Sequence, residues 1–196
     1  LHLLIYLFIG FAYSQTVVGY YPYWIQEEFQ PQDFDLETFT HINHAFAWPN
    51  EQGGIEATSG TFDATIADYI HNNNRKFILS LGGWGASDGF VAATSTYDLR
   101  SELISNILDK FISYGYDGVD IDWEHPQTNQ QKNNLSLFIA ELDSVLDEFD
   151  PEFLITMALP TSNWSGQWYD MTSLNQHVDY FIIVESCFTH KGDKRN

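Results

Sequence analysis

The chain reads as an α/β protein on a parallel (β/α)8 TIM barrel, with about six of the eight strands present in its 196 residues. Three observations predict this. Short β-rich runs alternate with longer helical or polar stretches, the rhythm of parallel strands joined by crossover helices. Polar and aromatic residues crowd the C-terminal ends of several runs, at Tyr20–Trp24, Trp48, Gly82-Gly83-Trp84 and Glu124. No Gly-x-Gly-x-x-Gly follows the first run, which argues against a dinucleotide-binding open sheet.

In chain order, "LHLLIYLFIGFAYSQ" comes first, apolar from Leu1 to about Tyr13 and closing on Ala12-Tyr13-Ser14. It has the h-region and small-x-small end of a secretory signal, so residues 1–14 are expected to be a signal segment with an incomplete start. The run is shorter than the ~20 apolar residues that span a bilayer, so no membrane association is expected once it is removed. The domain proper then runs over 15–196 and belongs outside the cell.

Strands are expected at 16–21, 40–47, 76–83, 118–124, 153–160 and 178–185. Helices are expected over 62–76, 99–115 and 133–151, with Asn72-Asn73-Asn74, Gly115 and Pro151 as stops. The third has the clearest apolar stripe, running Leu135, Phe138, Ile139, Leu142, Val145, Leu146 and Phe149. Six strands make part of a barrel rather than a whole one, and such an arc exposes two sheet edges, so the chain alone is expected to fold poorly.

The formal charge of −19 argues against nucleic acid, whose phosphates need clustered Lys and Arg. One cysteine, Cys187, excludes an internal disulfide framework and a multi-cysteine metal site. Neither a metal nor a cofactor is expected, and a monomer is.

The chemistry concentrates in "YDGVDIDWEHP", residues 116–126. Side chains alternate along a strand, so Asp120, Asp122 and Glu124 share one face while Val119, Ile121 and Trp123 share the other. In a barrel the apolar set lies under the helices and the acids face the axis. Three carboxyls in a poorly solvated interior cannot all ionise cheaply, so a proton is retained near neutral pH and a general acid is available. Glu124, at the strand's C-terminal end, is where substrate reaches it. A solvated acidic face and a calcium loop are the rivals. The first sits poorly between buried parallel strands, and the second lacks its Gly at His125 and its Glu at Gln131. His41 and His44 have no third ligand nearby and read as structural. Ser80 lacks a nucleophile turn, and Gly82 and Gly83 read as a sharp backbone turn at a crowded strand end.

These residues resemble glycoside hydrolase family 18, the chitinases and chitinase-like lectins. "DGVDIDWE" matches its Asp-x-x-Asp-x-Asp-x-Glu signature as Asp117, Asp120, Asp122 and Glu124, and Ser80–Gly83 matches its Ser-x-Gly-Gly motif. "VVGYYPYW", "THINHAFA" and "LITMALP" look like its first, second and fifth strands, so the likeness spans about residues 16–184. The resemblance implies a secreted chitinase acting on β-1,4-linked N-acetylglucosamine, with chitin or its oligosaccharides as partner. Glu124 would protonate the glycosidic oxygen, and the substrate's own acetamido oxygen would attack the anomeric carbon. Asp122 would orient that acetamido group, with Asp120 sharing its proton. Tyr20, Trp24, Phe46 and Trp84 would line sugar subsites, and Met157 and Ala158 would lie beside the reacting sugar.

The match departs at the sixth strand, where the family's Met-x-Tyr-Asp gives way to Val184-Glu185-Ser186-Cys187. A chitin lectin without activity and an endo-β-N-acetylglucosaminidase share enough of the pattern to stand as alternatives.

Overall fold

The computed structural model describes residues 15–184, so the expected signal segment and the residues after Val184 lie outside the described part. Its centre is a sheet in the order β1-β2-β4-β5-β6-β7, every neighbouring pair parallel. The strands are β1 (Val18–Pro22), β2 (His41–Pro49), β4 (Lys76–Gly82), β5 (Gly118–Asp122), β6 (Leu154–Pro160) and β7 (Tyr180–Val184). The expected six strands are all present as parallel members. The seventh, β3 (Ile55–Glu56), pairs antiparallel with Trp48 and Pro49 at the end of β2. Two residues are too few for any periodic signal, so this pairing had no trace in the sequence pattern.

Three long helices cross over between strands: α1 (Ala64–Asn72), α3 (Tyr97–Tyr114) and α4 (Asn129–Phe149). Short helices α2 (Gly89–Ala93), α5 (Asn163–Gly166) and α6 (Met171–Leu174) occupy the loops. Each long helix starts on a side-chain cap: Asp63 accepts from the Thr65 N–H, Thr96 from Leu99 and Thr128 from Gln131. The last of these starts α4 at Asn129, four residues ahead of the expected start at 133. Gly115 ends α3 in the left-handed region at φ 72°, and α4 stops at Asp150, ahead of Pro151.

The core lies between the outer sheet face and these helices. Leu79 and Leu81 of β4, Val119, Ile121 and Trp123 of the β5 segment, and Ile155 of β6 meet Ile70, Leu103, Ile107, Phe138 and Leu142 there. Trp123 stacks on Phe90 of α2 with ring centroids 5.3 Å apart. The apolar set of the acidic strand therefore faces the helices, as its alternation requires.

His44 is buried among the rings of Tyr21, Phe77 and Tyr116. Its ring nitrogens pair with the Tyr116 hydroxyl at 2.7 Å and the Gln26 side-chain amide at 2.6 Å. Burial lowers its pKa to about 4, so the imidazole is neutral at physiological pH and holds the loop after β1 to the core.

Asp117 sits at the other end of the molecule from the strand tips. Its carboxylate accepts from the Phe77 N–H at 2.7 Å, the Lys76 ammonium at 2.9 Å and His71 Nε2 at 2.8 Å. It thus fastens the start of β4 and the end of α1 to the start of β5. We expect Asp117→Ala to lower unfolding free energy in urea by about 1–3 kcal/mol, chiefly because the Phe77 N–H is left unpaired. An unchanged urea midpoint would show that this anchor is dispensable.

Candidate active site

The site forms where β5 ends, and the register explains its contents. Asp120 lies opposite Ser80 on β4 and Thr156 on β6, and Asp122 lies opposite Gly82. Fully buried, Asp120 accepts three hydroxyl hydrogen bonds: Ser80 Oγ at 2.8 Å, Thr156 Oγ1 at 2.8 Å and the Tyr20 phenol at 2.9 Å. Burial pushes its carboxyl above the ordinary range, and these three donors oppose that by favouring the ionised form.

Asp122, one step nearer the rim, is 5% exposed, and no hydroxyl donor acts on it among the described residues. Burial first, then the charges of Asp120 and Glu124, push its pKa up to about 8. With hydroxyls gathered on Asp120, the proton that the pair keeps at neutral pH belongs on Asp122. Glu124 is half-buried, and burial raises its carboxyl too. The column therefore runs from a supported carboxylate at the floor, through a protonated one, to an acid at the surface.

The strands approach closely here. A Cβ on Gly82 would stand 2.1 Å from the Asp122 carbonyl oxygen, and Gly82 has φ of 110°. Glycine is thus required on both counts. The Gly83 N–H then donates to the same carbonyl at 2.8 Å, which closes the turn that the sequence predicted.

The recess around the acids is lined by Asp122, Glu124, His125, Ala158, Leu159, Pro160 and Tyr169. Ala158 lies in it. Met157 does not: it is 1% exposed, faces the core in register with Ile121, and leaves the barrel face of β6 to Thr156 and Ala158. The placement of Met157 beside a reacting sugar is therefore corrected, for the same period-two alternation that sorts the acids.

The aromatic residues separate into groups. Tyr20, Phe46 and Trp24 form a chain of rings on the β1 and β2 side, with centroids 6.1 and 6.3 Å apart. Trp24 is 62% exposed, whereas Tyr20 is turned inward with its hydroxyl spent on Asp120. Trp84 is 72% exposed and borders an open hollow with Tyr23, Trp48 and Pro49. A larger hollow of about 630 Å³ lies between Tyr21–Gln32 and Thr58–Ile66, but none of the acids lines it, so the chemistry is not there.

Four residues at the site escaped the sequence reading. Thr156 supports Asp120, and Asn43 lies beside it with an amide that makes no hydrogen bond among the described residues. Ser87 and Tyr169 touch the backbone that carries Glu124. Thr156 was findable, since alternation back from Ala158 puts it on the barrel face. Ser87 and Tyr169 are 37 and 46 residues from their partners, and no local pattern marks them. Among the described residues, no group of three or more His, Cys, Asp or Glu is arranged to hold a metal ion.

A family model described as "Glycosyl hydrolases family 18" matches residues 16–189. Among characterised proteins, Chitinase 1 of Aphanocladium album is 25% identical over 184 residues, covering 80% of this chain and 44% of its own. The Ostrinia furnacalis Group IV chitinase, solved in complex with allosamidin, superposes with a TM-score of 0.77 at 24% identity, covering 87% of this chain and 50% of that one. A mutant GH18 chitinase from Cycas revoluta, in complex with (GlcNAc)4, gives 0.73 at 23% identity, covering 85% and 54%. The chain thus spans about half the length of these solved chitinases, and its six parallel strands match that part of their barrels.

The raised pKa of Asp122 has a consequence for stability. Between the ordinary carboxyl value of 3.8 and about 8, the folded state binds a proton that the unfolded state has lost. Asp122 therefore subtracts stability progressively as pH rises through that window. We expect thermal melts of Asp122→Asn to gain most over the parent near pH 8 and least near pH 4. A difference that does not change with pH would mean that Asp122 titrates normally.

Proposed function

The chain belongs to glycosyl hydrolases family 18, and on that premise we propose that it bears the acid half of a chitinase-type site, which hydrolyses β-1,4-linked N-acetylglucosamine polymers. The observation that carries this is the column of Asp120, Asp122 and Glu124, graded from fully buried to half-exposed at the tip of β5.

In the proposed mechanism Glu124 gives its proton to the glycosidic oxygen as the bond to the anomeric carbon breaks. Among the described residues, the only carboxylates lining the recess are Asp122 and Glu124, on the same strand segment. The substrate's acetamido carbonyl oxygen attacks instead, forming a cyclic oxazolinium and retaining configuration overall. Asp122 turns its carboxyl to the acetamido N–H and steadies the positive charge, passing its proton toward Asp120. Glu124, now ionised, takes a proton from the water that opens the ring. The raised pKa of Glu124 suits this double duty, because a carboxyl that is easier to keep protonated is a better acid reservoir near neutral pH.

Trp24, Phe46 and Trp84 offer ring faces for pyranose stacking, and Tyr20 serves as support for Asp120. The acidic balance of −19 and a cleft of carboxyls and aromatics suit a neutral glycan and not a polyanion. We propose that the protein acts outside the cell, on the signal-like character of residues 1–14.

A second reading, a carbohydrate-binding relative without hydrolysis, is favoured by one feature: Val184-Glu185-Ser186-Cys187 stands where the family pattern has Met-x-Tyr-Asp. The two separate in one assay. We expect any release of fluorophore from a chitobioside conjugate to depend on Glu124, with Glu124→Gln losing about 10²–10⁴ of the parent rate while keeping its affinity for chitotetraose. Equal turnover by both proteins would discard the mechanism. Binding without release by the parent would favour the non-hydrolytic reading.

A further inference from the structure

Glu124 lies past the end of its strand. The β4–β5 ladder stops at Gly82 and Asp122, and the β5–β6 ladder stops at Ile121 and Met157. The peptide unit that joins Trp123 to Glu124, and so aims the acid, has no strand partner on either side. It is held by two side-chain hydroxyls instead. The Glu124 N–H donates to Ser87 Oγ at 3.0 Å, and the Trp123 carbonyl accepts from the Tyr169 hydroxyl at 2.8 Å.

Both hydroxyls are well placed for this. Ser87 is 4% exposed, and Tyr169 is 5% exposed. Ser87 comes from the turn between β4 and α2, and Tyr169 from the link between α5 and α6. They reach the peptide from opposite neighbours of β5. The Ser87 hydroxyl has one hydrogen and two lone pairs, and it both donates and accepts here. While it accepts from Glu124, its proton lies between the carbonyls of Gly83 at 3.0 Å and Asp122 at 3.1 Å. One oxygen atom therefore joins the Gly82–Gly83 turn, the last residue of β5 and the amide of the acid.

We infer that Ser87 and Tyr169 are positioning residues for Glu124, clamping the two ends of the Trp123–Glu124 peptide in place of a strand ladder. The inference rests on the reading of Glu124 as the acid. With the peptide plane fixed, rotation about the Glu124 N–Cα bond is the main backbone freedom left to the acid, and a displacement of about 1 Å at a reacting group can cost roughly 10²-fold in rate. Neither residue needs to touch substrate for this.

The test uses Ser87→Ala and Tyr169→Phe in the full chain, since each deletes a hydroxyl with little change of volume. Three readouts are taken: chitobioside turnover, chitotetraose affinity and amide hydrogen exchange at Glu124. We expect each variant to lose about 10–100-fold in kcat with affinity unchanged, and the Glu124 amide to exchange at least ~10-fold faster in Ser87→Ala while those of Asp120 and Ile121 stay protected. Full turnover in both variants overturns the inference. So does a loss of turnover matched by an equal loss of sugar affinity, which is the signature of general structural damage. If Ser87→Ala does not fold, Tyr169→Phe decides by the same criteria. If the parent releases nothing, the hydrolytic reading has failed, and exchange alone decides the clamp: faster exchange at Glu124 in Ser87→Ala upholds it, and unchanged exchange removes it.

Discussion

Three carboxyls in one column on a buried strand are the constraint that the rest of the molecule answers. Neighbours two residues apart on a strand stand about 7 Å from each other. At an effective dielectric of about 20, two full charges at that separation repel by about 2.4 kcal/mol, or about 1.7 pK units. The rise of Asp122 from 3.8 to about 8 is larger than one such repulsion supplies. Burial is the largest single cause, with the charges of Asp120 and Glu124 added to it, so the column's retained proton depends on a middle member held away from water. That dryness needs parallel strands on both sides, helices outside them and hydroxyls, not water, around Asp120.

The two ends of β5 carry different duties. At the start, Asp117 ties strand to strand and strand to helix, using a backbone amide, a lysine and a histidine. At the tip, the ladder gives out one residue after the last ordinary pair, and single hydroxyls take over. The four acids of one short motif therefore divide into an anchor, a supported carboxylate, a proton holder and a surface acid. From Asp120 through Asp122 to Glu124 the order follows a gradient of burial, from filled floor to open mouth.

Much of this was legible in the sequence because alternation and helical spacing are local. The six parallel strands, the three long helices and the two faces of the acidic strand all follow from periods of 2 and 3.6 residues. Met157 shows the limit of reasoning by motif position: the same alternation applied to "LITMALP" puts Thr156 and Ala158 on the barrel face and Met157 in the core. Tyr20 shows another, since an aromatic ring at a strand end can stack on a sugar or turn inward, and only the 2.9 Å bond to Asp120 decides. Ser87 and Tyr169 were invisible because their partners are backbone atoms far along the chain. A serine in a glycine-rich turn has no pattern that separates a capping hydroxyl from one that aims an acid.

The central claim is that the column holds its proton at neutral pH on Asp122 rather than ionising throughout. Carboxyl carbon shifts of isotopically labelled protein, followed from pH 3 to pH 10, test it most directly. The account predicts that Asp122 titrates near 8 and that Glu124 titrates above its ordinary 4.5. Asp122 and Glu124 both titrating near their ordinary values would contradict it, because the site would then be solvated and would hold no acid at neutral pH.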